Sequence, residues 1–245
     1  MSIEFPVVFA LYPRVTQLDF TGPFEVFARL PRARCVLASV HGGSIQADGN
    51  MTFADVARLG DISDCALLCV PGGFGTVAAM EDQDYLNELR RLAATARYVT
   101  SVCTGSLLLA AAGLLAGRRA ACHWAWRDSL AAFGVTPDPA RVVQDGNVIS
   151  GGGVTAGIDM ALTVMAEVAR DGGGGRRGIR PNRAARNRVR ACAAIRFRPP
   201  RACAPGSGRG RTKTPRRDSR RTRCRGRSRR SGCAPAVERF SSRAA

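Results

Sequence analysis

The chain has 245 residues and a formal net charge of +18, but that charge sits at one end. Residues 1–170 carry 13 basic and 16 acidic side chains, whereas residues 171–245 carry 24 basic and 3 acidic ones. The mildly acidic body is long enough for one sizeable core, and no leading basic–apolar segment or membrane-length apolar run is present, which points away from secretion and membrane insertion and towards a cytoplasmic enzyme with reduced thiols.

Residues 5–12 read as a buried first strand, and residues 18–30 have the apolar spacing of a helix, with Thr21-Gly22-Pro23 near its start. Residues 34–39 form a second strand, followed by short extended pieces within residues 42–56 around the Asp48-Gly49-Asn50 turn. Residues 65–70 are continuously apolar, as strands covered on both faces tend to be, and run into Pro71-Gly72-Gly73-Phe74-Gly75. An amphipathic helix follows over 82–95, a strand over 98–102, and an alanine-rich helix over 106–115 that stops at Gly117. Residues 120–123 read as strand, 124–133 as a short helix, 142–150 as a hairpin about Asp145-Gly146-Asn147, and 158–169 as a last amphipathic helix. This alternation predicts an α/β fold: a parallel sheet with helices on both faces.

The junction at Cys103 carries the strongest chemical signal. A β-branched run ends at a cysteine, small residues follow, and an apolar helix begins, which is the pattern of a nucleophile elbow. Ser101, Thr104, Gly105 and Ser106 supply the small neighbours that a strained turn needs. The helix N-terminus favours negative charge, so a stabilised thiolate is expected at Cys103; a plain buried cysteine at a strand end is the alternative.

A thiolate needs a proton partner and donors for developing charge. Asp19, between Leu18 and Phe20, is the candidate acid/base, expected in a partly desolvating loop that raises its pKa. A carboxylate that merely stabilises the following helix is the other reading. Gly72 and Gly73 are expected to turn backbone N–H donors towards the cysteine, together with the Thr104 amide, although a tight structural turn explains a glycine pair equally simply. His123-Trp124-Ala125-Trp126 either walls a pocket or caps a core, and Gly151 to Gly157 either forms a second backbone loop or starts the last helix. Cys35, Cys65, Cys69 and Cys122 read as reduced core residues. Without paired ligand spacing, and with only His41 and His123 available, no metal is expected.

Together, Gln17-Leu-Asp-Phe-Thr-Gly-Pro23, Val70-Pro-Gly-Gly73, residues 96–106 around Cys103, Ala111-Ala-Gly-Leu-Leu115, His123-Trp124-Ala125 and Gly151 to Asp159 resemble the ThiJ/PfpI-like (class I glutamine amidotransferase-like) superfamily, and within it the isocyanide hydratases. The resemblance covers about residues 5–170 and implies a flavodoxin-like fold, a homodimer, no cofactor, and hydration of a small-molecule isocyanide to an N-substituted formamide through a thioimidate. It implies Cys103 as nucleophile, Asp19 as acid/base and Thr104 as a positioning group. Peptidase-like members place a histidine where Thr104 stands, and chaperone- or glyoxalase-like members use a glutamate near the first strand. Glyoxalase- or deglycase-like thiol chemistry on carbonyl compounds, and a non-catalytic sensor or binding domain, are the alternatives.

The resemblance stops where the composition changes. Residues 171–245 are expected to be a basic, low-complexity, disordered tail. Codons permitted for residues 184–198, read one base later, can spell Gln-Leu-Gly-Ile-Glu-Tyr-Glu-Pro-Ala-Pro-Pro-Phe-Asp-Ser, which resembles the family's usual continuation and suggests a frame shift. A genuine tail of this charge would attract nucleic acid non-specifically.

Overall fold

The computed structural model describes residues 4–171, and these fall within a single compact unit. The expectations for residues 172–245 (disorder, a frame shift, attraction to nucleic acid) lie outside the described residues.

Strands β1 (Phe5–Ala10), β2 (Ala33–Ser39), β5 (Leu67–Val70), β6 (Tyr98–Val102) and β10 (Val148–Gly151) form the parallel centre of the sheet. The strand order is β3-β4-β2-β1-β5-β6-β10-β9, with β4 (Thr52–Arg58) parallel to β2. The edge strands β3 (Gly43–Gln46) and β9 (Val142–Asp145) run antiparallel. The chain is thus the expected α/β, flavodoxin-like arrangement. β5 and β6 are buried at every position, because helices cover both faces.

On one face, α1 (Gln17–Phe27) packs against α5 (Ala156–Asp171). The contact is close because glycines stand at it. A Cβ on Gly22 would meet Ile158 Cγ1 at 3.1 Å, and one on Gly157 would meet Pro23 Cγ at 3.2 Å. Phe9 of β1 packs its ring against Phe24 and Phe27 of α1 at centroid distances of 5.5 and 6.3 Å. On the other face, α2 (Thr76–Glu81), α3 (Gln83–Thr95) and α4 (Gly105–Ala111) pack together. The α3 helix is capped by Asp82, whose side chain accepts from the Tyr85 N–H, and buries Tyr85, Leu86, Leu89 and Leu92.

The structure corrects two expected elements and adds one that was not expected. The helix after Cys103 ends at Ala111 rather than near residue 115. Gly113 adopts a left-handed φ of +77°, and the Leu114 N–H turns back to the Leu109 carbonyl at 2.9 Å, a closure that glycine permits. The apolar run 120–123 is mostly not strand, since only Arg119–Ala120 pairs, with Thr136–Pro137. Beyond it the backbone is satisfied by side chains: Ala121 N–H donates to Ser150 Oγ at 2.8 Å and the Ala121 carbonyl accepts from Ser106 Oγ at 2.6 Å. Helix α2 was not expected; at six residues it is too short for a periodic signal.

The junction of β6 and α4 fits closely under the end of β5. A Cβ on Gly105 would fall 2.1 Å from the Val70 carbonyl oxygen. That atom is backbone within the central sheet and has no room to yield. Gly105→Ala is therefore expected to lower the unfolding free energy by about 1–3 kcal/mol, measurable as a lower denaturant midpoint. An unchanged midpoint would contradict the packing described.

Candidate active site

Cys103 occupies the first position after β6, with φ at +58°. A non-glycine residue in this left-handed region costs about 1–3 kcal/mol, so neighbours must hold it there. Two backbone hydrogen bonds do so. The Cys103 N–H donates to the Gly151 carbonyl at 2.9 Å, and the Cys103 carbonyl accepts from the His123 N–H at 3.2 Å. The strained peptide is clamped between the end of β10 and the segment after β7 (Arg119–Ala120), and its side chain is turned out of the strand's ladder.

Asp19 meets the cysteine from α1. It lies in the first turn of that helix, not in a loop, and is fully buried. Its Oδ2 accepts from the Gly72 N–H at 3.0 Å. Its Oδ1 has no hydrogen-bond partner of ordinary geometry among the described residues. Burial, the largest influence, pushes the carboxyl from an ordinary 3.8 up to about 7; the Gly72 amide and the facing Cys103 thiol pull it back, and Asp48 adds a smaller push upwards. Because Oδ2 is held as an acceptor by an amide, the proton, when present, belongs on Oδ1.

The thiol itself differs from expectation. Burial raises the Cys103 pKa well above the ordinary range, the neighbouring Asp19 raises it further, and Cys122 adds to this. The Thr104 N–H lowers it but does not prevail. Burial of a residue that is 7 % exposed thus opposes the thiolate expected from the helix start.

Gly72 and Gly73 also do something other than present free donors. The Gly72 amide is committed to Asp19, and the Gly73 amide donates to Thr104 Oγ1 at 3.0 Å. The loop after β5 is a clamp for the two residues flanking the sulfur. Its closeness requires glycine. A Cβ on Gly72 would lie 2.5 Å from the Thr104 nitrogen, 2.6 Å from its Oγ1 and 2.9 Å from Asp19 Oδ2.

Other expected site residues fall elsewhere. Trp124 and Trp126 are exposed at 76 % and 47 % and cap no core. Trp126 instead lines an apolar groove with Val77, Met80, Leu86, Leu107 and Phe133. Gly151 closes β10 and contributes its carbonyl to the cysteine clamp, while α5 starts at Ala156. Cys65, Cys69 and Cys122 are buried free thiols and Cys35 is half-buried. Among the described residues no group of three His, Cys, Asp or Glu is placed to hold a metal, and no helix is long and apolar enough to cross a membrane.

Sequence reasoning missed Tyr12 and Thr76. Both are buried, and the Tyr12 hydroxyl contacts Thr76 Oγ1 at 3.0 Å, which in turn contacts Thr104 Oγ1 at 2.7 Å. The available signal was position. Tyr12 follows the carboxyl end of β1 and Thr76 follows the glycine loop of β5, at the edge where ligands of parallel sheets bind.

Residues 6–167 match the model of the DJ-1/PfpI family. The chain is 47% identical to the isonitrile hydratase of Pseudomonas putida over 160 residues, covering 65% of this chain and 70% of that protein. It is 33% identical over 168 residues to the HTH-type transcriptional regulator CdhR of Pseudomonas aeruginosa, but spans only 49% of that protein's length. Among solved structures, a ThiJ/PfpI family protein from Pseudomonas syringae superposes with a TM-score of 0.66 at 33% identity, covering 78% of this chain and 87% of the other.

The raised Asp19 pKa has a consequence for stability. A carboxyl whose folded pKa lies above its unfolded value contributes stability that is complete below about pH 4 and is lost as pH rises through about 7. The loss is on the order of 4 kcal/mol. Asp19→Asn keeps an acceptor for the Gly72 amide and cannot ionise. Its melting temperature is therefore expected to rise relative to wild type as pH increases from 5 to 8. A difference that is flat across that range, or that narrows, would show that Asp19 is not destabilised as an anion.

Proposed function

The chain belongs to the DJ-1/PfpI family, and on that premise we propose that it hydrates an organic isocyanide to an N-substituted formamide, with Cys103 as nucleophile and Asp19 as acid/base. The observation that carries this reading is the strained cysteine held against a buried carboxyl whose Oδ1 is unpartnered. The 47% identity to an isonitrile hydratase supports the substrate class.

The pair's protonation fixes the order of events. At neutral pH the sulfur carries its proton and Asp19 is near its midpoint. As Cys103 Sγ attacks the terminal isocyanide carbon, its proton passes to ionised Asp19 and a carbon–sulfur bond forms. Asp19 then protonates the carbon, giving a thioimidate, R–N=CH–S–Cys. Water adds to that carbon, with Asp19 as base, and collapse of the adduct releases R–NH–CHO and restores the thiol. One water is consumed and no electrons leave the system. The Thr104 N–H, already on the sulfur, stabilises charge there during attack and expulsion.

The site also suits the electrophile sterically. The reacting carbon of an isocyanide is terminal and lies on a linear group, so it can reach a sulfur whose residue is only 7 % exposed. A neutral electrophile enters without the desolvation cost that an ion would carry.

Incubating the full chain with an alkyl isocyanide is expected to yield the N-alkyl formamide, detected by mass spectrometry or by disappearance of the isocyanide infrared band. Cys103→Ala, with its fold checked by circular dichroism, is expected to abolish turnover. Asp19→Asn is expected to lower kcat by at least about 100-fold. Because only ionised Asp19 can accept the thiol proton, kcat/KM should rise with pH through about 7. Turnover persisting in Cys103→Ala would overturn the nucleophile assignment.

A further inference from the structure

Three buried hydroxyls form a chain behind the cysteine. The Tyr12 hydroxyl lies 3.1 Å from the Pro71 carbonyl and 3.0 Å from Thr76 Oγ1. Thr76 Oγ1 lies 2.7 Å from the Gly73 carbonyl and 2.7 Å from Thr104 Oγ1. Thr104 Oγ1 also accepts from the Gly73 N–H at 3.0 Å. These are four hydroxyl-mediated contacts served by three hydroxyl protons, since each hydroxyl donates once.

The arrangements that satisfy three of the four contacts share one feature. In one, Tyr12 donates to Pro71, Thr76 donates to Tyr12 and Thr104 donates to Thr76. In a second, Tyr12 donates to Thr76, Thr76 donates to the Gly73 carbonyl and Thr104 again donates to Thr76; in a third, Tyr12 donates to Pro71, Thr76 to the Gly73 carbonyl and Thr104 once more to Thr76. Reversing the last bond, so that Thr76 donates to Thr104, leaves only two contacts satisfied. Unmet buried contacts are costly, so the proton of Thr104 is directed to Thr76 and its lone pairs to the Gly73 amide.

Thr104 is thereby anchored by its side chain on both sides, and it directly follows Cys103 in the chain, where its backbone N–H pulls the thiol pKa down. We infer that Thr76 is a positioning residue for the nucleophile: its hydroxyl, itself held by Tyr12, fixes Thr104 and so keeps the Thr104 peptide N–H aimed at Cys103. This rests on the reading of Cys103 as the nucleophile. The titratable groups acting on that sulfur are Asp19 from α1, Cys122 from the segment after β7, and Tyr12 from the end of β1. No hydrogen bond joins Thr76 to Asp19 or Cys122 among the described residues, and Tyr12, which does contact Thr76, keeps a second anchor on the Pro71 carbonyl, so a shift in thiol behaviour there reports chiefly on the Thr104 amide.

The test compares Thr76→Ala with Thr76→Ser, which both lose the methyl group and differ only in the hydroxyl. The readout is iodoacetamide alkylation of the Cys103 peptide in the full chain, resolved by mass spectrometry across pH, so that other cysteines do not contribute. Thr76→Ala is expected to slow alkylation at pH 8 by about tenfold, equivalent to one pKa unit, while Thr76→Ser stays within about twofold of wild type. Superimposable Ala and Ser profiles would overturn the inference. Should Thr76→Ala fail to fold, Thr104→Val against Thr104→Ser makes the same comparison from the other end of the bond. Isocyanide turnover, measured alongside, separates the two readings. Wild type without turnover, but with the Ala–Ser difference, removes the proposed reaction and keeps the positioning role. Turnover with no such difference does the reverse.

Discussion

A left-handed cysteine backbone between two hydrogen bonds is the constraint on which the rest of this site depends. With φ at +58°, Cys103 cannot extend β6, and its clamp to the Gly151 carbonyl and the His123 amide costs the chain regular pairing there. The compensation lies in the sheet. β6 is bounded by β5 and β10, both fully buried, so the register of three parallel strands fixes where the strained residue stands. Gly105, lying under the Val70 carbonyl, then lets α4 begin immediately afterwards. The position of Cys103 is therefore a property of the hydrophobic core, transmitted through backbone geometry.

The electrostatics follow from the same closeness. Backbone amides that a Cβ would displace are used to hold the reactive groups: Gly72 holds Asp19, and Gly73 holds Thr104. Asp19 is desolvated because α1 packs tightly onto the sheet, and desolvation raises its pKa into the neutral range. The thiol is desolvated by the same packing and is held neutral. An exposed thiolate would be intercepted by oxidants and adventitious electrophiles.

Much of this was legible in the sequence, for reasons tied to particular residues. Residues 98–102 were predicted as strand to the residue, because β-branched apolar positions end abruptly at a cysteine with small neighbours. The hairpin about Asp145-Gly146-Asn147 was equally plain, since Gly146 adopts a left-handed φ of +61°. The parallel sheet followed from alternation. What stayed hidden depends on distance along the chain. The commitment of the Gly72 and Gly73 amides to Asp19 and Thr104 joins residues 53 and 31 positions apart, and the Tyr12–Thr76 contact spans 64. No local pattern encodes such partners. The burial acting on the thiol stayed hidden for a related reason: a helix start is visible in sequence, whereas the desolvation that opposes it is a tertiary quantity.

The groups that position the pair lie between Tyr12 and Gly151, upstream of the composition break at residue 171. They converge from six separate stretches: the end of β1, the first turn of α1, the loop and helix after β5, the elbow after β6, the turn after β7, and the end of β10. In a doubly covered parallel sheet these are carboxyl-end positions or their immediate continuations. A site assembled this way tolerates changes in edge strands and surface helices, because no single loop carries the chemistry. It tolerates little at the glycines, where a methyl group would separate the carboxyl from the thiol's neighbour. Small residues therefore determine the acid–base pairing here as firmly as the aspartate and cysteine themselves.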